Sequence, residues 1–189
     1  MTSPATLLAA LEFAAARHRD QRRKGSGAPP YINHPIQVAR LLAEVGGIED
    51  HITLTAAVLH DTIEDTETTA DELEERFGAD VRDVVMEMTD DTSLPKAERK
   101  HLQIERAPGL SSRAKQLKIA DKTSNIREIV QDPPVGWSLE RRRDYLDWAD
   151  AVVAGCRGVN PALEMHYDAV MRQCRATLED AICTRSTLH

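Results

Sequence analysis

Alternating apolar–polar runs are missing from this sequence, and aromatic side chains make up only 4% of it. Strands draw on both, so Tyr31-Ile32 is the one plausible extended stretch and an all-α chain is expected. Cysteine is also sparse: Cys156, Cys174 and Cys183 fall in the last third with no CxxC spacing. That excludes a zinc framework, and an odd count fits a reduced, cytoplasmic chain better than a secreted one. The apolar stretch 7–16 contains Glu12 and has no basic segment before it, so it is neither a membrane span nor a signal peptide. Positive charge is in deficit, with 24 Lys and Arg against 31 Asp and Glu and a net charge of −7. Clustered cations are needed to displace counterions from nucleic acid, so an extended nucleic-acid surface is not expected, and without a span neither is a membrane. A basic pocket for one small anion remains open.

Helix punctuation, by contrast, is plentiful. Ser3-Pro4 reads as an N-cap with proline at the first helical position, opening a helix to about Arg22. A second helix runs from near Pro35 to the stop at Gly46-Gly47, and a third from roughly Glu49 to Ile63, apolar on most sides as befits the centre of a bundle. Thr69-Ala70-Asp71-Glu72 is a capping box. Leu94-Pro95, Ser111-Ser112, Ser138 and Asn160-Pro161 open the later helices. A chain of 189 residues holds one well-buried core. The expectation is a single-domain helical bundle of about eight to ten helices over residues 1–182, with 183–189 a frayed tail.

The chemistry concentrates in Leu59-His60-Asp61-Thr62-Ile63-Glu64-Asp65, at the end of the third helix. Buried acids and imidazoles are costly unless paired or holding a metal. On an ideal helix the His60 and Asp61 side chains diverge by about 100°, yet both can reach one ion at the helix edge. His34, where a loop meets a helix start, and Asp121, within an apolar helix face, are the candidates to complete the set. Two imidazoles and two carboxylates suit Mn²⁺, Fe²⁺ or Zn²⁺, and a site without cysteine fits catalysis better than structure. Such an ion lowers the pKa of water from about 15.7 towards roughly 7, and Glu64 and Asp65 stand close in sequence to orient and deprotonate it. His18, His51, His101 and His166 lie among charged or polar neighbours and are expected to be solvated.

These residues resemble the HD superfamily of metal-dependent phosphohydrolases. Gln21-Arg22-Arg23-Lys24, Pro30-Tyr31-Ile32-Asn33-His34-Pro35, the run Ala57 to Thr66, and Lys118-Ile119-Ala120-Asp121-Lys122 resemble the hydrolase domain of RelA/SpoT proteins and, more closely, the small alarmone hydrolases, including the metazoan SpoT homologue. Pro95-Lys96-x-Glu98-Arg99-Lys100, Gly136-Trp137-Ser138, Arg141, Tyr145 and Trp148 extend the similarity over about residues 8–180. The resemblance implies Mn²⁺ held by His34, His60, Asp61 and Asp121, with Glu64 and Asp65 activating the attacking water. It implies that the 3′-pyrophosphate of ppGpp or pppGpp is hydrolysed to GDP or GTP plus pyrophosphate, and that the alarmone is degraded and not made. Arg23 and Lys24 would pack on the guanine, Asn125 would read the base edge, and Lys96, Arg141 and Tyr145 would face the phosphates. Thr123-Ser124 stand where the family often has leucine and then an aromatic or histidine, so a base or ribose contact made by the larger side chain is expected to be lost or replaced there. Two alternatives stay open: a phosphohydrolase acting on a ribose phosphate such as the 2′-phosphate of NADPH, and a non-catalytic nucleotide sensor.

Overall fold

In a computed structural model of the chain, the backbone is described for residues 4–186 and the side chains for 4–181. Among the described residues there are ten α-helices and one 3-10 turn, Ala107–Gly109, and the only bridge of strand type joins Arg22 to Pro30. The helices are α1 (Pro4–Arg17), α2 (Asn33–Glu44), α3 (His51–Leu59), α4 (Thr62–Asp65), α5 (Ala70–Phe77), α6 (Ala79–Met88), α7 (Lys96–Arg106), α8 (Ser112–Gln131), α9 (Leu139–Cys156) and α10 (Pro161–Ser186). The all-α bundle expected from the sequence is the fold observed.

Two helices hold the centre. Helix α3 packs on α1, α2, α6 and α8, and its residues Ala56, Ala57, Val58 and Leu59 are buried. Helix α8 packs on α2, α6, α9 and α10. Its buried positions include Leu117, Ile119 and Ile126, but also Asp121, Lys122, Thr123 and Ser124. Leucines buried as fully as Leu59 and Leu117 contribute about 1.5–3 kcal/mol each, and that apolar packing carries the polar row of α8 into the interior.

The caps form largely as the sequence indicates. Ser111 Oγ accepts from Ala114 N at 3.2 Å, Ser138 Oγ from Arg141 N at 3.1 Å, and Asn160 Oδ1 from Leu163 N at 3.2 Å. Only half of the capping box closes. Thr69 Oγ1 accepts from Glu72 N, while the Glu72 carboxylate pairs with Arg17 and Arg76.

Three boundaries differ from expectation. Helix α1 stops at Arg17, well before Arg22, because the chain turns there, with Gln21 N donating to His18 O at 3.0 Å. The third helix is interrupted: α3 ends at Leu59 and α4 begins at Thr62, with Asp61 at φ −98°, ψ −2°. Side chains take the carbonyls at the break, Thr62 Oγ1 donating to Leu59 O at 2.7 Å and His60 Nδ1 to Ala57 O at 2.8 Å. At the far end α10 continues past Ala181 to Ser186. Residues 187–189, like Ser3, lie outside the described residues. Cys156 and Cys174 are buried free thiols, and the Cys183 side chain is not described. No described helix is long and apolar enough to cross a membrane.

Candidate active site

The break between α3 and α4 brings two neighbouring side chains to one place. His60 Nε2 lies 3.0 Å from Asp61 Oδ2, despite the divergence an unbroken helix would impose. From the start of α2, His34 Nε2 comes within 3.7 Å of the same oxygen and 3.1 Å of Asp121 Oδ1. His60 Nε2 is 3.8 Å from Asp121 Oδ1. Ligand atoms about 2.0–2.2 Å from a shared ion sit roughly 3 Å or a little more apart, so these separations fit one cation. Ligand atoms of His34, His60 and Asp121 all lie within 4.8 Å of one another. The three residues are 2%, 3% and 6% exposed, and His60 Nε2 is buried with no well-aligned hydrogen-bond partner. An orphaned imidazole nitrogen aimed between two carboxylates is what a cation would satisfy.

Each of the four is held from behind. Ala57 O accepts from His60 Nδ1, which leaves Nε2 as the free nitrogen. Ser124 Oγ lies 3.3 Å from His34 Nδ1. Tyr31 Oη donates to Asp61 Oδ2 at 2.7 Å. Lys122 Nζ and Asn125 Nδ2 donate to the two oxygens of Asp121 at 3.1 and 2.6 Å. Electrostatics follow from this packing. Burial alone would raise both carboxyls, but His60 holds Asp61 below the carboxylate range, and Lys122 with the two histidines does the same for Asp121. Burial lowers His34. It would lower His60 too, but Asp61 and Asp121 outweigh it and raise that imidazole to about 10. The site attracts positive charge, and in the absence of an ion a proton on His60 meets that demand.

Beside this cluster opens a cavity of about 340 Å³ lined by Asp61, Glu64, Asp65, Arg23, Lys24, Lys96, Asn125 and Tyr145. A second cavity, about 390 Å³, shares Glu64, Lys96, Trp137 and Tyr145 and adds Arg99, Lys100, Arg141 and Trp148. Every residue expected from the sequence at the metal, the water or the nucleotide therefore lines or underlies this one connected region.

Their contacts differ from one to the next. Glu64 accepts from Asp90 N at 3.1 Å and from Arg99 at 3.3 Å. Burial, reinforced by the Asp90, Asp61 and Asp65 charges, outweighs the Asp90 N–H and raises its carboxyl. Asp65 Oδ2 accepts from Gln21 Nε2 at 2.8 Å. The Arg23 guanidinium lies 5.4 Å from the Tyr31 ring centroid and is clamped by Glu128, with Nε donating to Oε1 at 2.7 Å. Asn125 does not offer an idle amide to a base edge: Nδ2 serves Asp121, and Oδ1 accepts from Arg23 at 3.0 Å. Arg141 stacks on Trp137 at 4.3 Å, and Lys100 on Trp148 at 4.6 Å. Burial raises Tyr145 to about 12 and, with the Arg141, Lys24 and Arg99 charges, lowers Lys96.

Thr123 Oγ1 donates to Ile119 O within the helix at 2.7 Å, and Ser124 faces His34 and a third cavity of about 490 Å³. One expectation needs correction: His18 is not solvated, being 1% exposed with its ring against Tyr31. Tyr31, Gln21, Lys122, Glu128 and Arg99 were missed as site residues. Tyr31, Gln21, Lys122 and Arg99 stand inside the motif stretches, so adjacency was the available signal; Glu128 gave none.

A family model described as the HD domain matches residues 10–144. The guanosine-3′,5′-bis(diphosphate) 3′-pyrophosphohydrolase MESH1 of Xenopus tropicalis is 53% identical over 169 residues, covering 89% of this chain and 94% of that one. Homo sapiens MESH1 is 51% identical over 174 residues, covering 92% and 97%. A solved structure described as a metazoan ortholog of SpoT that hydrolyzes ppGpp matches with a TM-score of 0.88 and 45% identity, covering 92% of this chain and 97% of that one. The chain belongs to the HD domain family, in the branch that holds the MESH1 pyrophosphohydrolases.

Proposed function

We propose that this protein is a Mn²⁺-dependent hydrolase of the 3′-pyrophosphate of ppGpp or pppGpp, releasing GDP or GTP and pyrophosphate in a reducing cytoplasm. The observation that carries the reading is the convergence of His34, His60, Asp61 and Asp121 beside a cavity walled by cations and edged by Glu64 and Asp65. The names of the MESH1 relatives and of the matching solved structure point to the same reaction.

His34, His60, Asp61 and Asp121 would hold the ion, a mixed nitrogen and oxygen set suited to Mn²⁺. When bound, it supplies Lewis-acid polarisation and a lowered pKa for water. Arg23, clamped flat by Glu128 and Tyr31, offers its plane to the guanine, with Lys24 beside it. Asn125 joins that wall to Asp121. Lys96, Arg141 and Tyr145 receive the phosphates in the adjoining cavity, where the like charges of Lys24, Arg99 and Arg141 around Lys96 favour an anion. Glu64, with a raised carboxyl and a fixed orientation, accepts the proton of the attacking water, and Asp65 orients that water from the next position.

The test is incubation of the purified protein with ppGpp and Mn²⁺, reading GDP and pyrophosphate. The 2′-phosphate of NADPH is the second candidate substrate. Rates measured side by side on the two substrates separate them. A protein that binds no ion on titration would favour the non-catalytic sensor.

A further inference from the structure

We propose that His18, acting through Gln21, positions the Asp65 carboxylate for water activation; the inference rests on the hydrolase reading above. Helix α1 ends at Arg17, and the turn that follows swings His18 inward and Gln21 towards α4. His18 Nδ1 lies 2.6 Å from Gln21 Oε1, and Gln21 Nε2 lies 2.8 Å from Asp65 Oδ2. The direction of this chain is forced. A carboxylate only accepts, so Gln21 must present its NH₂ group to Asp65. Its carbonyl oxygen is thereby turned to His18, and Nδ1 must donate. The imidazole fixes the amide, and the amide fixes the carboxylate.

Asp65 needs this support, because it sits on the four-residue helix α4 with its side chain exposed. The Gln21 bond occupies Oδ2, and no other described residue takes Oδ1, which stays available to water. His18 is itself rigid. Its ring packs on Tyr31 at 4.9 Å between centroids, and the Tyr31 hydroxyl holds Asp61 Oδ2 at 2.7 Å. One buried imidazole thus braces a water-orienting acid through Gln21 and a metal-binding acid through Tyr31. A residue that merely filled this space would be apolar, since His18 Nε2 is buried without a partner and desolvating it has a cost. The Nδ1 donor is the property that an apolar residue lacks.

Steady-state kinetics on the Mn²⁺-loaded protein with ppGpp test the relay. Gln21→Met, close in shape but without an amide, and His18→Leu should each lower kcat about tenfold or more, as loss of outer-shell partners commonly does, with KM within about twofold and bound metal unchanged. His18→Asn, which can donate from the Nδ1 position, should recover most of the loss. His18→Leu should add nothing in an Asp65→Asn background. Unchanged kcat in Gln21→Met, or a folded His18→Asn as slow as His18→Leu, overturns the proposal, as does a His18→Leu penalty that persists in full beside Asp65→Asn. If Asp65→Asn alone turns over like the wild type, the role given to Asp65 fails and the relay falls with it. An inactive Asp65→Asn with an unaffected Gln21→Met sinks the relay alone.

Discussion

At the residue scale, Glu64 and Tyr31 separate two kinds of contribution. The Glu64 carboxyl is raised by burial among other acids and tethered by Asp90 N and Arg99. Glu64→Gln keeps the volume and, through its amide oxygen, one of the two tethers, but removes the proton acceptor. It should lower kcat by about 10²-fold or more while the thermal midpoint stays near that of the wild type, measured by turnover and melting on the same preparation. Tyr31→Phe removes the hydroxyl bonded to Asp61 and should weaken Mn²⁺ binding about tenfold or more, read by calorimetric titration. Residues of this kind were unequally visible in the sequence. His60, Asp61 and Asp121 stood out because acids and imidazoles in apolar segments are costly without a use. Ser124, Glu128 and His18 did not, because their roles come from partners brought close only by folding: Ser124 meets His34 across 90 positions, and Glu128 meets Arg23 across 105.

At the scale of elements, the start of a helix was easier to foresee than its end. Ser111, Ser138 and Asn160 carry a local hydrogen-bonding reason to begin a helix. The stop at Arg17 and the break at His60-Asp61 are held by bonds just as local, Gln21 N to His18 O and the His60 and Thr62 side chains to Ala57 O and Leu59 O, but no residue type there marks a stop in the sequence. The loop after Lys24 shows what a short element can do for that site. Asp132, just past the end of α8, accepts from Ser26 N at 2.9 Å and from Ser26 Oγ at 2.8 Å. A Cβ on Gly25 would lie 2.0 Å from Asp132 Oδ2, so only glycine lets the loop close on this carboxylate. Gly25→Ala should push the loop away and carry Arg23 and Lys24 off the nucleotide wall. The expected result is a several-fold rise in KM for ppGpp with a smaller change in kcat, checked by initial-rate kinetics.

At the scale of the molecule, an acidic protein concentrates cations around one acidic hollow, and pH should tune how tightly that hollow holds its ion. In the metal-free fold His60 titrates at about 10, above its unfolded value of 6.5. Its imidazolium therefore stabilises the metal-free fold fully below 6.5, and that contribution fades as pH climbs through about 10. An ion must displace the same proton, so its affinity rises with pH over that range, by up to about tenfold per unit for one proton released. The gap in melting temperature between Mn²⁺-loaded and chelator-treated protein should be wider at about pH 8 than at about pH 6. The fold around this hollow is ten helices with α3 and α8 at the centre; the all-helical bundle and the central place of α3 were legible in caps and apolar patterning, while the central place of α8, with its buried polar row, was not. The most direct measurement of the whole account is turnover of ppGpp by the purified, Mn²⁺-loaded protein, followed by separating the nucleotides and assaying pyrophosphate. Equal amounts of GDP and pyrophosphate, abolished by Glu64→Gln and by chelation, are predicted. No turnover by a folded protein shown to contain its ion would contradict it.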